Sequence, residues 1–272
     1  MPKIHPTAII SKSAEIGSGV VIGPFCIVND NVKIGDGTAL ASHVVIESHT
    51  VIGSDNKLHS HAVIGGAPQD SSYNGEPTQL CIGDRNIIRE QVTMNRGTVR
   101  GNGETRVGSD CLFMVGAHIA HDCFIGSNVT LINNATLGGH VTLGDRVVMG
   151  GLSAVHQFTR IGSGAMIGGM TGVERDVIPF GMVTGDRARL GGLNIVGLRR
   201  QGYAKPDISI LRQAYQHLFL TDGVLAEKLP KIKVQFADSP LVACLVAFLS
   251  AESQRGILPA SIAAQERSNG KQ

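Results

Sequence analysis

The sequence predicts a mainly β chain: a parallel β-helix of six-residue repeats, followed by a small α-helical domain. Three observations carry this. Aliphatic residues recur every six positions through most of the chain. Glycine is abundant, at 35 of 272 residues, while aromatic residues make up only 4% and tryptophan is absent, a composition suited to a regular stack with tight corners rather than a ring-filled core. The repeat then stops near Gly185, and later apolar residues adopt helical spacing.

The repeat begins at Ile10 and steps through Ile16, Ile22, Val28, Ile34, Leu40, Ile46, Ile52, Leu58 and Ile64. Three such hexads close a triangular coil of eighteen residues, and inward aliphatics at equal phase stack along the axis. The segment GGAPQDSSYNGEPTQLC has turn chemistry and no repeat, so it reads as a loop excursion near 66–81. The phase survives it at Ile82, Ile88 and Met94. A second excursion, near 96–106, shifts the phase by one. The count resumes at Val107 and runs through Phe113, Ile119, Ile125, Leu131, Leu137, Leu143, Met149, Val155, Ile161 and Ile167 to Val173. Residues 1–185 thus form the β-helix and 186–272 a helical C-terminal domain. In the latter, Ile208, Leu211, Tyr215 and Leu218 lie at helical spacing with Asp207 as the expected N-cap, and Ser239-Pro240 opens a second helix. The tail AAQERSNGKQ is expected to be disordered.

A net charge of +2 does not suggest bulk nucleic-acid binding. No apolar run approaches a membrane span, and MPKIHPTAIIS has no leader pattern. Five cysteines without a CxxC pair read as reduced thiols, so the expected location is cytoplasmic.

Of ten histidines, four fall in one window: His118, His121, His140 and His156. Adding eighteen and thirty-six to His121 reaches Gly139/His140 and His156/Gln157, so the coil is expected to gather them into a vertical strip. His118 and His121 both read as outward-facing. Three functional readings follow. His118 and His121, three apart, suit a zinc pair, but no cysteine or carboxylate cluster completes a tetrahedron. Nucleophilic catalysis lacks a G-x-S-x-G elbow, and Cys123 is not obviously aligned with His121. General base catalysis needs only an imidazole oriented by Asp122 or a neighbour. A plain solvated histidine face stands beside all three.

The segments GEPTQLCIGDRNIIRE, AHIAHDC, NNATLGGHV, AVHQF and NIVGLRR together resemble the bacterial UDP-N-acetylglucosamine acyltransferases that start lipid A synthesis, over almost the whole chain. The resemblance implies a left-handed parallel β-helix, an exception to right-handed crossovers. It also implies a homotrimer with sites between subunits in a Gram-negative cytoplasm, no cofactor, and no metal. The implied reaction moves a 3-hydroxyacyl chain from acyl carrier protein to the 3-hydroxyl of UDP-N-acetylglucosamine. By position, His121 matches the base, Asp122 its orienting group and Gly139 the oxyanion donor. His118, His140, His156 and Gln157 match residues lining the substrates, Asn194 and Arg200 nucleotide contacts, and Gln69 and Asp70 sugar contacts from the adjoining subunit. Gly169 matches the position limiting acyl length, and a glycine there implies a long chain. Ser72, Asn95, Val196 and Gln201 depart from the family's usual lysine, histidine, glutamate and arginine. The departures admit a 3-amino acceptor giving an amide. A non-catalytic sugar-nucleotide binder or scaffold is the competing class. Arg199 and Arg200 read either as helix-start solvation or as contacts to the acidic carrier protein.

Overall fold

The computed structural model describes residues 1–261. The tail AAQERSNGKQ lies outside the described residues. From Lys3 to Val173 the chain is a succession of short strands, most of them two residues long, that pair in parallel with the strand three positions earlier, and Gly181–Thr184 then pairs in parallel with Met166–Ile167. They build three sheets of 11, 9 and 8 strands, the walls of a left-handed triangular β-helix.

Register follows the hexads. Ile9 pairs with Ile27 and Glu15 with Lys33, each eighteen residues on. Each strand turns one aliphatic inward. Ile46, Ile64, Met94, Ile119 and Leu137 form one interior column, all fully buried. Such burial stabilises by about 1.5–3 kcal/mol per large aliphatic before entropy is charged. Ile10 and Ile16, at the open end, are half-buried because no coil lies beneath them. Most corners place one non-glycine residue at positive φ, including His43, His61, Asp122, His140 and Phe158. The tight turn imposes that conformation, and the stacked coils hold it.

Both excursions leave from the same corner, between the second and third sheets. The first connects the strands Val63–Gly66 and Gln79–Ile82, and Ile52 pairs with Ile82, so that coil carries twelve extra residues. The second connects Thr93–Asn95 and Glu104–Val107, and Ile82 pairs with Val107, twenty-five residues on. Those seven extra residues are the one-residue phase shift. Twelve is a multiple of six and seven is not, so only the second insertion showed in the count.

Strands continue past residue 185: Gly181–Thr184 and Arg189–Leu193 form an antiparallel hairpin across the expected boundary. Four helices follow: α1 (Ile195–Arg200), α2 (Lys205–Phe219), α3 (Leu225–Gln235) and α4 (Pro240–Ser250). The expected face Ile208, Leu211, Tyr215 and Leu218 is buried. Asp207 is not the N-cap. Helix α2 starts earlier, after Ala204, with Pro206 at its first positions, and Asp207 lies in its first turn, where a carboxylate suits the helix dipole. Ser239 caps α4, its hydroxyl accepting from the Val242 N–H. Arg199 and Arg200 sit in the last turn of α1, not at a helix start.

The chain then returns to the β-helix. Ile257 bridges Asp176 and Ala260 bridges Leu190, so 256–261 forms a strap along its end. Asp176 is buried and binds the Arg160 side chain at 2.7 Å, while Arg160 also lies 4.6 Å over the Phe248 ring of α4. Among the described residues no helix is long and apolar enough to cross a membrane.

Candidate active site

His121 follows the strand His118–Ile119 at the corner that carries both excursions. Its side chain is only 13% exposed, so it is not the open surface residue expected from its phase. The excursions wall it in. Its Nδ1 lies 2.8 Å from Asp122 Oδ2, the separation of a strong N–H to carboxylate hydrogen bond.

Asp122 is fully buried and held from below by the second excursion. The Thr98 N–H and hydroxyl donate to it at 2.9 and 2.8 Å, and the Asn102 N–H at 3.3 Å. Burial pushes the carboxyl pKa up, but the bonds from His121 and Thr98, helped by the charge of His140, outweigh it and the pKa is lowered. Asp122 is therefore a charged group whose lone pairs are directed. Gly101 packs so closely that a Cβ there would stand 2.1 Å from Asp122 Oδ1. Thr98, Gly101 and Asn102 were absent from the sequence reading. The one-residue phase shift marked their segment, in the coil directly beneath AHIAHDC, but not the residues themselves.

Above His121 the column differs by one residue from the expected strip. Gly139 and Gln157 follow His121, while His140 and Phe158 follow Asp122. The His140 N–H donates to the His121 carbonyl and the Phe158 N–H to the Gly139 carbonyl. Gly139 lies flat against the imidazole, and a Cβ there would approach His121 Cε1 to 2.6 Å and Nε2 to 2.7 Å. Among the described residues neither His121 Nε2 nor the Gly139 N–H has a hydrogen-bond partner. His140 stands edge-on to His121, with centroids 5.3 Å apart, and stacks on Phe158 at 4.4 Å. Its Nε2 is 3.7 Å from Asp122 Oδ2. Burial lowers the His140 pKa, opposed in part by Asp122.

The other expected residues divide by place. His118 bonds Thr93 Oγ1 through Nδ1 at 2.8 Å, and burial, then His121, lowers its pKa. His156 and Gln157 are exposed at the same corner. Asp70 lies in the first excursion, within electrostatic reach of His121 and Arg100 of its own chain, with the exposed Gln69 beside it. Arg96 holds that excursion, donating to the Gly65 carbonyl at 2.6 Å and to Tyr73 Oη at 3.0 Å. The structure does not bring Gly169, Asn194 or Arg200 to His121 within one chain. Gly169 occupies the corner between the first and second sheets, stacked on Gly151. Asn194 caps α1, accepting from Gly197 N–H at 2.9 Å and donating to the Gly164 carbonyl at 3.0 Å, so its amide is already engaged. Arg200 is exposed on α1.

Two of the departing positions have local roles. Ser72 donates its N–H and hydroxyl to Asp70 at 2.8 Å, and Asn95 donates to the Ala67 carbonyl at 2.9 Å. Both brace the first excursion. Val196 is exposed and Gln201 closes α1.

Chemically, the site offers a hydrogen-bonded imidazole–carboxylate pair and an adjacent backbone N–H, but no activated nucleophile. Cys123 is buried, its thiol pushed up to about 12 by desolvation and donating to the Gly138 carbonyl. A buried neutral thiol is a packing group. The two histidines of HxxH have different partners, Thr93 and Asp122. His121, Asp122 and His140 do bring ligand-type atoms within 4.8 Å of one another. The Asp122 oxygens, however, already accept from Thr98, Asn102 and His121, the arrangement of a carboxylate that orients an imidazole.

Fold and sequence together define a hexapeptide-repeat transferase. Residues 176–258 match the family described as Udp N-acetylglucosamine O-acyltransferase, domain 2, and residues 13–48 match the bacterial transferase hexapeptide, six repeats. A relative from Anaeromyxobacter dehalogenans, named acyl-[acyl-carrier-protein]–UDP-N-acetylglucosamine O-acyltransferase, is 50% identical over 93% of this chain and 98% of its own. The solved LpxA of Acinetobacter baumannii superposes with a TM-score of 0.91 at 44% identity, covering 94% of this chain and 99% of that one. The Francisella novicida UDP-N-acetylglucosamine acyltransferase gives 0.93 at 36% identity, covering 96% and 95%. The chain belongs to the acyl-[acyl-carrier-protein]–UDP-N-acetylglucosamine O-acyltransferase family and is an acyltransferase.

Proposed function

We propose that this chain transfers a 3-hydroxyacyl group from acyl carrier protein to the 3-hydroxyl of UDP-N-acetylglucosamine, the first step of lipid A biosynthesis, as a cytoplasmic homotrimer with His121 as general base. The observation that carries the role of His121 is its 2.8 Å bond to the buried Asp122 carboxylate. That bond fixes the proton on Nδ1 and leaves the Nε2 lone pair as base.

The 3-hydroxyl proton passes to Nε2 as the oxygen attacks the thioester carbonyl carbon. The resulting imidazolium is stabilised by Asp122. The negative charge formed on the carbonyl oxygen is met by the Gly139 N–H, whose lack of an internal partner suits that role. Collapse breaks the carbon–sulfur bond, and the departing sulfur takes the proton from Nε2. His118, His140, His156, Gln157, Gln69 and Asp70 border this space. Gly169, Asn194 and Arg200 reach it from a neighbouring subunit in the trimer, with Gly169 leaving room for a chain of about twelve carbons or more.

The test is transfer by the wild type and His121→Gln, using a series of 3-hydroxyacyl carrier thioesters with the 3-hydroxy and 3-amino acceptors in competition. The expected result is ester formation with long chains and a loss of 10²–10⁴-fold in kcat in the variant, whose trimer persists. Retained turnover in His121→Gln would overturn the base assignment. Exclusive amide formation would overturn the acceptor, and preference for a ten-carbon chain the reading of Gly169.

A further inference from the structure

Among the described residues, one cluster of arginines outside the site has no internal ion-pair or side-chain hydrogen-bond partner. Arg175, Arg187 and Arg189 line a cleft of about 230 Å³ with Glu174, Gly172 and Ala188, roofed by Leu258 and Pro259 of the C-terminal strap. All three arginines are exposed, and among the described residues none makes an ion pair or a side-chain hydrogen bond. Three guanidinium groups face one carboxylate, so the lining carries excess positive charge. Like charges held this close repel unless an anion joins them. The buried salt bridge nearby uses Arg160 and Asp176 instead.

The cleft lies on the His121 corner. Val155 pairs with Val173, so Glu174 and Arg175 form the next turn above His156 and Gln157. That turn is two residues shorter, because Ile161 bridges Val177, sixteen residues on. Arg175 therefore continues the series His121, Gly139, Gln157 after three coil rises, about 14 Å at ordinary strand spacing. Arg255, just before the strap that roofs the cleft, donates to the Gln157 carbonyl at 2.8 Å and extends positive charge toward His121.

We infer that the Arg175, Arg187 and Arg189 cleft binds the phosphodiester of the donor's phosphopantetheine arm. Guanidinium groups match phosphate oxygens bidentately. Length selects the donor over the other phosphate source. The arm spans about thirteen bonds from sulfur to phosphorus, roughly 15 Å at extended-chain geometry. The acceptor's nearest phosphorus is about four bonds from the sugar carbon that bears the attacking oxygen, roughly 5 Å at the same geometry. Only the first reaches the cleft while its reacting end lies at His121. This assignment rests on the carrier-dependent reaction proposed above, and binding without turnover separates the two.

The experiment measures binding of 4′-phosphopantetheine and of pantetheine to the wild type and to Arg175→Gln/Arg187→Gln/Arg189→Gln by calorimetry. The substituted positions are exposed, and circular dichroism checks the fold. The expected result is that the wild type prefers the phosphorylated arm by about tenfold or more, the range of a charge-assisted contact, and that the triple variant does not. In transfer assays the variant's KM for the carrier thioester should rise by a similar factor, with KM for UDP-N-acetylglucosamine unchanged. Equal binding of the two arms by the wild type would overturn the inference, as would a rise in the acceptor KM instead. A loss confined to the intact carrier protein, with the free arm unaffected, would also overturn it and mark the cleft as a contact for acidic protein surface. Arm discrimination in a wild type that transfers nothing would leave the site standing and sink the carrier-dependent reaction.

Discussion

Two columns of rings climb this β-helix, and only one of them has the makings of chemistry. At the corner between the first and second sheets, Phe25, His43 and His61 stack with centroids 5.0 Å apart and planes within 19°. At the next corner, His140 and Phe158 stack at 4.4 Å above Asp122. All these residues share the same positive-φ turn, with φ between 58° and 65°. The first column is exposed and has no carboxylate beneath it. The second is walled by two excursions, and Asp122 beneath it is fully buried. The repeat sets ring upon ring, and the second insertion adds donors to a buried carboxylate beneath one of the stacks.

The largest expected effect comes from removing what the second column has and the first lacks. Asp122→Asn preserves shape but not charge, and frees His121 to take the wrong tautomer. The kcat should fall by about 10³-fold or more, with little change in acceptor KM. Steady-state kinetics on the folded variant checks this, and a loss under tenfold would mean that the Asp122 charge is not what orients His121. Gly139→Ala comes next. A Cβ at 2.6–2.7 Å from the imidazole must displace the ring that Asp122 holds. A displacement near 1 Å costs on the order of 10²-fold. Unaltered kcat would show that the ring has freedom the packing denies.

Thr98→Val is a finer cut, since it removes one hydroxyl from Asp122 and leaves the Thr98 N–H. A loss of about tenfold in kcat is expected, from one charge-assisted hydrogen bond. Thr98→Ser should restore activity. The downfield proton resonance of His121 Nδ1–H should shift in the valine variant and return in the serine one. If that resonance stays fixed, Thr98 serves loop stability alone.

The difference between columns also explains what was legible beforehand. Period six exposed the β-helix because every coil must bury one aliphatic per wall, and Ile46 through Leu137 obey that rule. AHIAHDC stood out because charged and imidazole groups interrupted the pattern. Phase arithmetic was good to one residue, which is why His140 was grouped with His121 when it stands above Asp122. Thr98, Gly101 and Asn102 were not legible. Their segment obeys no period, and its bonds to Asp122 form only when the next coil closes over it. The strap 256–261 was hidden for a similar reason, since its partners Asp176 and Leu190 lie some eighty and seventy residues earlier in the chain.

The smallest effect is one of pH, and it separates the columns without any substrate. Burial lowers the folded-state pKa of His140, and of His118 beside the site. Above the unfolded value of about 6.5 both states hold these rings neutral and stability is unaffected. Below it the unfolded chain binds protons that the folded chain resists, so stability falls as pH drops from 6.5 toward the folded pKa values. Asp122 adds nothing in this window. Its lowered pKa contributes stability that persists above the unfolded carboxylate value near 3.9 and is lost only below it. Urea midpoints should therefore decline between pH 7 and 5.5 in the wild type. His140→Gln should flatten part of that decline. His43→Ala and His61→Ala, at exposed corners, should shift the midpoint by no more than about 0.5 kcal/mol equivalent at pH 7. An unchanged slope in His140→Gln would show that the His140 ring resists protonation no more in the folded chain than in the unfolded one. The burial supplied by the excursions would then not be what distinguishes one histidine column from the other.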